Sequence, residues 1–468
     1  MKRIKQVIIL ILTVPVFMSS SVFANAMDTD GLISDRIEEF RDNTKCGAVS
    51  VAVVRGDKTE VYGDAEGLYL IGSMTKAFTG LAVQKLIADG MISEDDPISD
   101  ILPGFTAYYE SKPCDITIGQ LLTQTSGYTN SETDYPGASE DMSLAEWVDD
   151  ISGKELHYRP GNRYAYSNVN YNLLGAVIGQ VSGQSYEEYM KTKILAPLGL
   201  TNTYVQVRDG EESIISGSRP GYRHAFEYDI PVSPGRIPAG YFYSNAADMT
   251  RWIRIWIGTA DIPEEYKVLL SVVKGSLHDP GDYYSGWEAF ENGTTGHSGG
   301  TPDYSSRIVF SDREQTGVCV LANMNVAAST DSLCNGIYAA CTGGGFGSLK
   351  TDVWTVFDII FTAVTVSGIL LILLSVFARK RGVPIFTGCF QIVITASVCA
   401  VMPPVFGAGL KDIMLIWAPY SFAGGIIVLT AGIPVSAIRL WMIVKNESRK
   451  KRSEGAASDC HHRVSSVE

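Results

Sequence analysis

A serine and a lysine lie three residues apart at the start of a predicted helix, in the segment Ser73-Met74-Thr75-Lys76. This spacing places the two side chains one helical turn apart on the same face. A lysine there can accept or relay the serine hydroxyl proton, and the helix N-terminus favours negative charge beside Ser73. The pattern predicts a serine nucleophile. It recurs at residues 271–274 and 448–451, so it does not select a site by itself.

The segment Tyr166-Ser167-Asn168 adds a second chemical element. A tyrosine beside a lysine ammonium has its phenolate stabilised, so it can act as a general base and later as an acid toward the leaving group. The Tyr-x-Asn spacing also occurs at residues 128–130 and 243–245. In the second of these, Asn245 is expected to cap the helix that starts at Ala246.

The third element is Gly296-His297-Ser298-Gly299-Gly300. Its glycines allow the backbone to approach a ligand closely, and the N–H of Gly300 can form an oxyanion hole with that of Ser73. The same residues match the G-x-S-x-G nucleophile elbow, which requires an acidic residue and then a histidine later in the chain. The only later histidines, His461 and His462, follow three long apolar segments, so the elbow interpretation is rejected.

Hydrophobic periodicity predicts the elements that position these residues. We expect helices at residues 33–40, 73–88, 116–125, 169–181, 246–257 and 327–340, and strands at 48–54, 305–310 and 317–322. A run of three glycines at 343–345 is expected to form a flexible boundary. These elements indicate one α+β domain at residues 27–345.

Both ends of the chain carry membrane-targeting features. Residues 1–26 have a basic start, an apolar stretch and a small-residue cleavage site, which together predict a signal peptide. An uncleaved anchor helix is the alternative, and in either case the domain at residues 27–345 is expected to be exported.

Three apolar segments at about 355–378, 383–406 and 413–438, within residues 353–444, are each long enough to cross a bilayer. Three buried core helices would need a further domain to cover them, and none remains. Basic residues after the first and third segments predict that these ends lie in the cytoplasm. We therefore expect a multi-pass cell-membrane protein with its catalytic domain outside the cytoplasm and a basic cytoplasmic tail at residues 445–468.

Charge and metal-ligand spacing exclude several classes of function. The formal net charge of −13 argues against nucleic acid as a partner. The six histidines and eight cysteines lack the spacing of a metal site, so neither a metal nor another cofactor is expected. The sequence allows one disulfide among the five cysteines before residue 345 but does not choose the pair.

Five segments resemble the serine β-lactamase-related family, which includes class C β-lactamases, D-alanyl-D-alanine carboxypeptidases, D-aminopeptidases and esterases. Residues 68–79 (LYLIGSMTKAFT) are similar to its nucleophile segment, and residues 116–127 (ITIGQLLTQTSG) to a helix that usually reads LLTHTSG. Residues 159–175 resemble its Tyr-Ser-Asn block, and residues 238–252 and 296–302 (GHSGGTP) resemble its last two blocks. All five occur in family order.

The resemblance implies a β-lactamase/transpeptidase-like α+β fold, with a five-stranded antiparallel sheet flanked by helices and an all-helical lobe. It makes Ser73 the nucleophile, Lys76 its proton partner and Tyr166 the general base and acid. The implied substrate-binding residues are Asn168, His297, Ser298, Gly299 and Gly300, with His297 where many members have the lysine of K-T-G. Gln124 replaces the usual histidine, and the stretch between Val54 and Leu68 is shorter than usual.

We therefore expect a membrane-anchored serine hydrolase that acts through an acyl-enzyme on a small peptide or ester, such as a D-amino-acid peptide of the cell wall. The alternative is a non-catalytic membrane sensor or scaffold that binds wall peptides or β-lactams. β-Lactamase activity is disfavoured because His297 holds a carboxylate less well than lysine at neutral pH. If His297 faces the pocket, its ordinary pKa of about 6.5 means that it should bind carboxylates better as the pH falls. The alternative is that His297 only fills a strand position beside the glycines.

Overall fold

The computed structural model describes residues 29–130, 141–206 and 213–464. The predicted signal peptide lies outside these residues. The strands are β1 (Val49–Arg55), β2 (Lys58–Tyr62), β3 (Tyr69–Leu70), β4 (Ala107–Tyr109), β5 (Lys112–Cys114), β6 (Ser218–Gly221), β7 (His224–Glu227), β8 (Tyr243–Ser244), β9 (Tyr283–Tyr284), β10 (Trp287–Ala289), β11 (Thr295–Gly300), β12 (Ser305–Ser311) and β13 (Thr316–Ala322).

Most helices before residue 345 lie between the strands. They are α1 (Thr29–Thr44), α2 (Thr75–Ala88), α3 (Ile98–Ile101), α4 (Ile118–Leu122), α5 (Leu144–Ile151), α6 (Asn168–Ser182), α7 (Tyr186–Tyr189), α8 (Ala196–Leu198), α9 (Ile237–Gly240), α10 (Ala246–Ile257), α11 (Glu264–Gly275) and α12 (Ala327–Cys341). Three shorter turns of helix are the 3₁₀ segments Gly72–Met74 and Pro234–Arg236 and the π-helix Met190–Leu195.

The central sheet has seven antiparallel strands in the order β2-β1-β13-β12-β11-β10-β9. The expectation of five strands was therefore wrong. The short strands β9 and β10 extend the sheet beyond β11, and strands of two and three residues carry too little alternation to be recognised in a sequence. The register of the sheet centre is fixed by pairs such as Val49 with Ala322 and Ser305 with Ala322.

The two faces of the sheet bury different cores because successive strand residues point to opposite sides. Val51 and Val53 of β1 face a core built with α1 and α12. Ala52 and Val54 face the larger core, which includes α2, α6 and α10. Helix α2 lies between the sheet and the helical lobe, so it is buried on almost every side, and this fixes the position of its N-terminal turn.

Three long helices follow the hydrolase-like domain: α13 (Val353–Val376), α14 (Gly382–Phe406) and α16 (Tyr420–Val464). All three are long and apolar enough to cross a membrane. The third begins at Tyr420, later than the predicted start near residue 413. Residues 410–417 form the short helix α15 (Leu410–Asp412) and a π-helix, Ile413–Trp417, which ends before Pro419.

The chain after the glycine run is held against the domain, in contrast to the expected flexible boundary. Phe346 packs against Gly336 of α12, where an added Cβ would lie 2.7 Å from the Phe346 carbonyl oxygen. Ser329 Oγ donates to the carbonyl of Lys350 at 2.8 Å, and the N–H of Lys350 donates to Ser332 Oγ at 2.9 Å. Across the described side chains, the cysteines are free thiols: Cys46, Cys114, Cys319, Cys334, Cys341, Cys389 and Cys399.

Candidate active site

Ser73 lies in the tight turn that begins α2, against the end of β11. Gly72 has a φ of +53°, in the left-handed region that favours glycine, and a Cβ there would lie 2.5 Å from the nitrogen of Gly300. A Cβ on Gly299 would collide with the carbonyl of Ile71. The two glycines therefore let the Ser73 turn and the end of β11 touch, which brings Gly300 beside the serine.

Lys76 lies one turn after Ser73 and is fully buried. Its Nζ is 3.0 Å from Ser73 Oγ, 2.7 Å from Asn168 Oδ1 and 2.5 Å from the carbonyl oxygen of Ala239. Burial lowers the pKa of Lys76 well below its ordinary value of 10.5. The two carbonyl-type oxygens can only accept hydrogen bonds. They therefore take both N–H groups of a neutral amine, and its lone pair is left facing the hydroxyl of Ser73.

Tyr166 stands on the other side of the serine. Its hydroxyl is hydrogen-bonded to Ser73, and Lys76 Nζ lies 5.0 Å from the centre of its ring. Burial raises the pKa of Tyr166 above its ordinary value of 10.0. The sequence had suggested a stabilised phenolate. The surroundings in the structure instead favour a neutral phenol beside a neutral amine.

The Tyr-Ser-Asn segment is positioned by Gln124, whose importance was not recognised in the sequence. Gln124 has a φ of +58° and is fully buried. Its Oε1 accepts hydrogen bonds from the N–H of Ser167 at 3.0 Å and from Asn170 Nδ2 at 2.5 Å. Ser167 then caps α6, because its Oγ accepts from the N–H of Val169. The residue that replaces the common histidine therefore orients Tyr166 and Asn168.

His297 is buried with its ring near Tyr166, at 6.0 Å between ring centres. Its Nδ1 is 2.6 Å from the carbonyl oxygen of Ser298, so that nitrogen carries the proton, and the hydroxyl of Tyr283 lies 3.2 Å from Nε2. Burial lowers the pKa of His297 to about 3. His297 is thus neutral at pH 5.5 and above. The lowered pKa argues against the expected gain in carboxylate binding at lower pH, which assumed an imidazole with its ordinary pKa.

Ser298 points away from the cleft, as the alternation along β11 requires. Its Oγ donates to Asp331 Oδ1 of α12 at 2.8 Å and accepts from Arg307 at 2.9 Å, on the opposite face of the sheet. The side chain of Ser298, which was predicted to be a substrate-binding residue, therefore faces away from Ser73. Gly299 and Gly300 remain next to Ser73.

The competing motifs lie elsewhere. Ser271 is on the exposed side of α11, where its Oγ donates to the carbonyl of Val268, and Ser448 is similarly placed on α16. Asn245 caps α10 by accepting from the N–H of Asp248 at 2.8 Å, as expected. Tyr128 is fully buried in the core.

A small cleft of about 50 Å³ opens at Ser73 and contains residues that no motif singled out. Asn168, Ala239, Gly240 and Gly300 line it together with Trp147, Asn172, Arg236, Tyr241 and Thr301. Trp147 lies on α5, Asn172 on α6 and Arg236 in the 3₁₀ turn before α9. Tyr241 directly follows α9, and Thr301 directly follows β11. They are far apart in the chain, and only the fold brings them together.

Residues 33–338 match the protein-family model described as Beta-lactamase. Protein flp of Staphylococcus aureus (strain NCTC 8325 / PS 47) is 34% identical over 273 residues, which cover 55% of this chain and 53% of that protein. The chain thus spans about half the length of that relative. The protein named Beta-lactamase of Escherichia coli (strain K12) is 25% identical over 358 residues, covering 66% of this chain and 92% of that one.

A similar fold is found in the octameric penicillin-binding protein homologue from Pyrococcus abyssi. The TM-score is 0.60 at 24% sequence identity, with 72% of this chain and 81% of that chain covered. Together with the family match, this likeness confirms the fold class that the sequence motifs indicated.

Proposed function

Because this chain belongs to the beta-lactamase family, we propose that it is a serine hydrolase that works through an acyl-enzyme on Ser73. The observation that carries the proposal is the 3.0 Å contact between Ser73 Oγ and a buried lysine whose pKa is lowered. A base must be unprotonated to activate a hydroxyl, and burial provides this without a second charged group.

Acylation begins when Ser73 Oγ attacks the substrate carbonyl and its proton passes to Lys76 Nζ. The N–H groups of Ser73 and Gly300 would hold the oxygen of the tetrahedral intermediate, since Gly72 allows the two backbone segments to touch. Collapse of the intermediate breaks the bond to the leaving group.

Tyr166 is assigned to protonate that leaving group, since a phenol with a raised pKa still carries its proton at neutral pH. Lys76, which then carries the serine proton, can return it to the Tyr166 phenolate, whose ring centre lies 5.0 Å from Nζ. Water then attacks the acyl-enzyme, and the same groups act in reverse order to release Ser73. No cofactor takes part in this sequence.

The substrate class follows from the charges around the cleft. Neutral His297 offers no positive charge to a free carboxylate, so a penicillin-like substrate gains little from this position. We propose a peptidase or esterase, with a D-amino-acid peptide of the cell wall as a candidate substrate. The apolar helices and the basic segments beside them support a multi-pass membrane protein with the domain outside the cytoplasm.

Active-site labelling tests this proposal. A fluorescent fluorophosphonate should label wild-type membranes, and Ser73→Ala should abolish the label while Ser271→Ala and Ser298→Ala leave it unchanged. Persistent labelling of Ser73→Ala would show that another residue is the nucleophile. A fluorescent penicillin that binds without turnover of any ester or peptide would instead favour the non-catalytic sensor.

A further inference from the structure

The domain is joined to its apolar helices without a free stalk. Asp352 makes one of the joints: its Oδ2 accepts from the N–H of Ala328 at the start of α12, at 3.0 Å. Its Oδ1 accepts from the N–H of Trp354 at the start of α13, at 2.8 Å. A single buried carboxylate thereby caps both the last helix of the domain and the first apolar helix.

A second joint is formed by the docking hairpin, residues 218–227, which comprises β6 and β7. Arg219 on this hairpin is 1% exposed. Its guanidinium donates to the carbonyls of Leu415 at 2.5 Å, Met414 at 3.0 Å and also Ala418, at the end of the π-helix that precedes α16. These carbonyls lack helical partners because the helix breaks before Pro419.

Two aromatic rings hold the same guanidinium from either side. Its carbon lies 4.8 Å from the ring centre of Tyr228 and 4.6 Å from that of Tyr420. A planar cation between two rings and three carbonyls has little freedom to move. The charge, the ring stacking and the hydrogen bonds of Arg219 together therefore fix the hairpin to the helices.

The tip of the docking hairpin reaches into the apolar helices. The N–H of Arg223 donates to Asp358 Oδ2 of α13 at 2.8 Å, and Ser421 of α16 donates to Asp358 Oδ1 at 2.7 Å. Tyr222 lies against Gly424 of α16 and remains 36% exposed. Aromatic side chains are enriched at the membrane–water interface, and the partly exposed ring of Tyr222 fits a position there.

The hairpin is also tied to the cleft. Thr301 lines the cleft next to Gly300, and its Oγ1 donates to Asp303 Oδ1 at 2.7 Å. Asp303 accepts at its carbonyl from the N–H of Ser218, the first residue of the hairpin, at 3.2 Å. The lengths of these short segments place the cleft within about 20 Å of the hairpin tip.

From this arrangement we propose that the membrane itself presents the substrate: a lipid-tethered ester or peptide whose scissile bond is held within about 20 Å of the bilayer surface. This proposal rests on the hydrolase function proposed above. An enzyme on a flexible stalk samples many heights, whereas this domain is held at one height and orientation by two joints. Substrates attached to lipid by a tether of matching length would therefore reach Ser73 best.

The test uses the full-length protein in vesicles, oriented with its domain outside. A fluorogenic ester is attached to phospholipid headgroups through ethylene-glycol spacers of increasing length, and the same ester is also supplied free in solution. Confinement to one vesicle favours any tethered substrate, so the diagnostic quantity is the dependence of the rate on spacer length. We expect the rate to vary at least about 10-fold along the series, with its maximum at one spacer length of no more than about 20 Å.

Arg219→Gln should flatten that length dependence while leaving the rate on the free ester unchanged, and Arg313→Gln, on the exposed turn between β12 and β13, is the matched control. A wild-type rate that does not vary with spacer length would overturn the proposal even if Arg219→Gln fails to fold. Loss of both reactions, with no labelling of Ser73 in the wild type, would instead count against the hydrolase function.

Discussion

Replacing Lys76 by alanine removes the amine that touches Ser73 and should lower kcat/KM by about 10²- to 10⁴-fold, the range of general acid–base catalysis. That range corresponds to about 3–5 kcal/mol of transition-state stabilisation. The loss should appear in the rate of acylation, measured as the rate of fluorophosphonate labelling, as well as in turnover of an ester.

The same substitution also affects stability, and the two effects have to be separated. Lys76 donates to the part-buried Oδ1 of Asn168 and to the buried carbonyl of Ala239. Leaving each without a partner costs about 1–3 kcal/mol. Thermal unfolding should therefore be recorded beside activity, and Lys76→Met serves as a control that keeps the volume of the side chain. If the amine is the base, small primary amines added to Lys76→Ala should restore part of the activity.

The pH dependence provides the sharpest check. Because burial lowers the pKa of Lys76, the neutral amine is present at neutral pH, and wild-type kcat/KM should fall only as the pH drops through that lowered value. In the Lys76→Ala variant rescued by an added amine, the pH at which kcat/KM falls should follow the pKa of that amine. A wild-type limb near 10.5, the ordinary lysine value, would refute the reasoning. So would a Lys76→Ala variant that labels at the wild-type rate.

Four further outcomes are expected. Since His297 is neutral above its pKa of about 3, kcat/KM for a carboxylate substrate and its methyl ester should follow parallel curves from pH 5.5 to 8.5, and divergence near pH 6.5 would contradict this. Burial raises the pKa of Asp303 from 3.8 to about 7, so its contribution to stability is present below pH 4 and lost as the pH rises through 7. Between pH 5 and pH 8 the wild type should lose about 3 kcal/mol from this group, and thermal unfolding of Asp303→Asn at these two pH values should show that loss removed. Gln124→Leu should lower kcat while changing KM little, because Tyr166 would be misplaced. An unchanged kcat would show that Gln124 does not position Tyr166. A reporter active only outside the cytoplasm should work when fused after Gly409 and fail after Arg381, and activity at Arg381 would reverse the predicted orientation.

The sequence predicted best those elements whose residues repeat with a clear period. Helix α10 begins at Ala246 and ends at Ile257, the predicted bounds, because three large apolar residues align along it and Asn245 provides a cap. The segment around Ser73 was recognisable for a different reason: several ordered motifs surround it. The contact between this segment and Gly300 depends in part on the glycines of residues 296–300, which already stood out in the sequence.

Other features depend on contacts that no local pattern encodes. Tyr283 approaches His297 from the two-residue strand β9, and Arg219 reaches carbonyls nearly two hundred residues away. The side of β11 that Ser298 faces follows from the strand register, which a five-residue motif does not contain. The charge of His297 was misjudged because the pKa of an imidazole is set by burial, and burial is a property of the folded chain.

The contact between Arg219 and the carbonyls before Pro419 also determines when parts of the molecule can join during synthesis. Met414 lies 195 residues after Arg219 in the chain. At about 5–20 residues per second, the ribosome makes the hairpin roughly 10–40 s before it makes the carbonyls that Arg219 binds. Until then the guanidinium has only Tyr228 beside it and stays solvated, while the rest of the nascent domain is already made. Closure of this contact therefore waits for synthesis of residues 414–420, so a chain truncated before Met414 should keep the hairpin unattached.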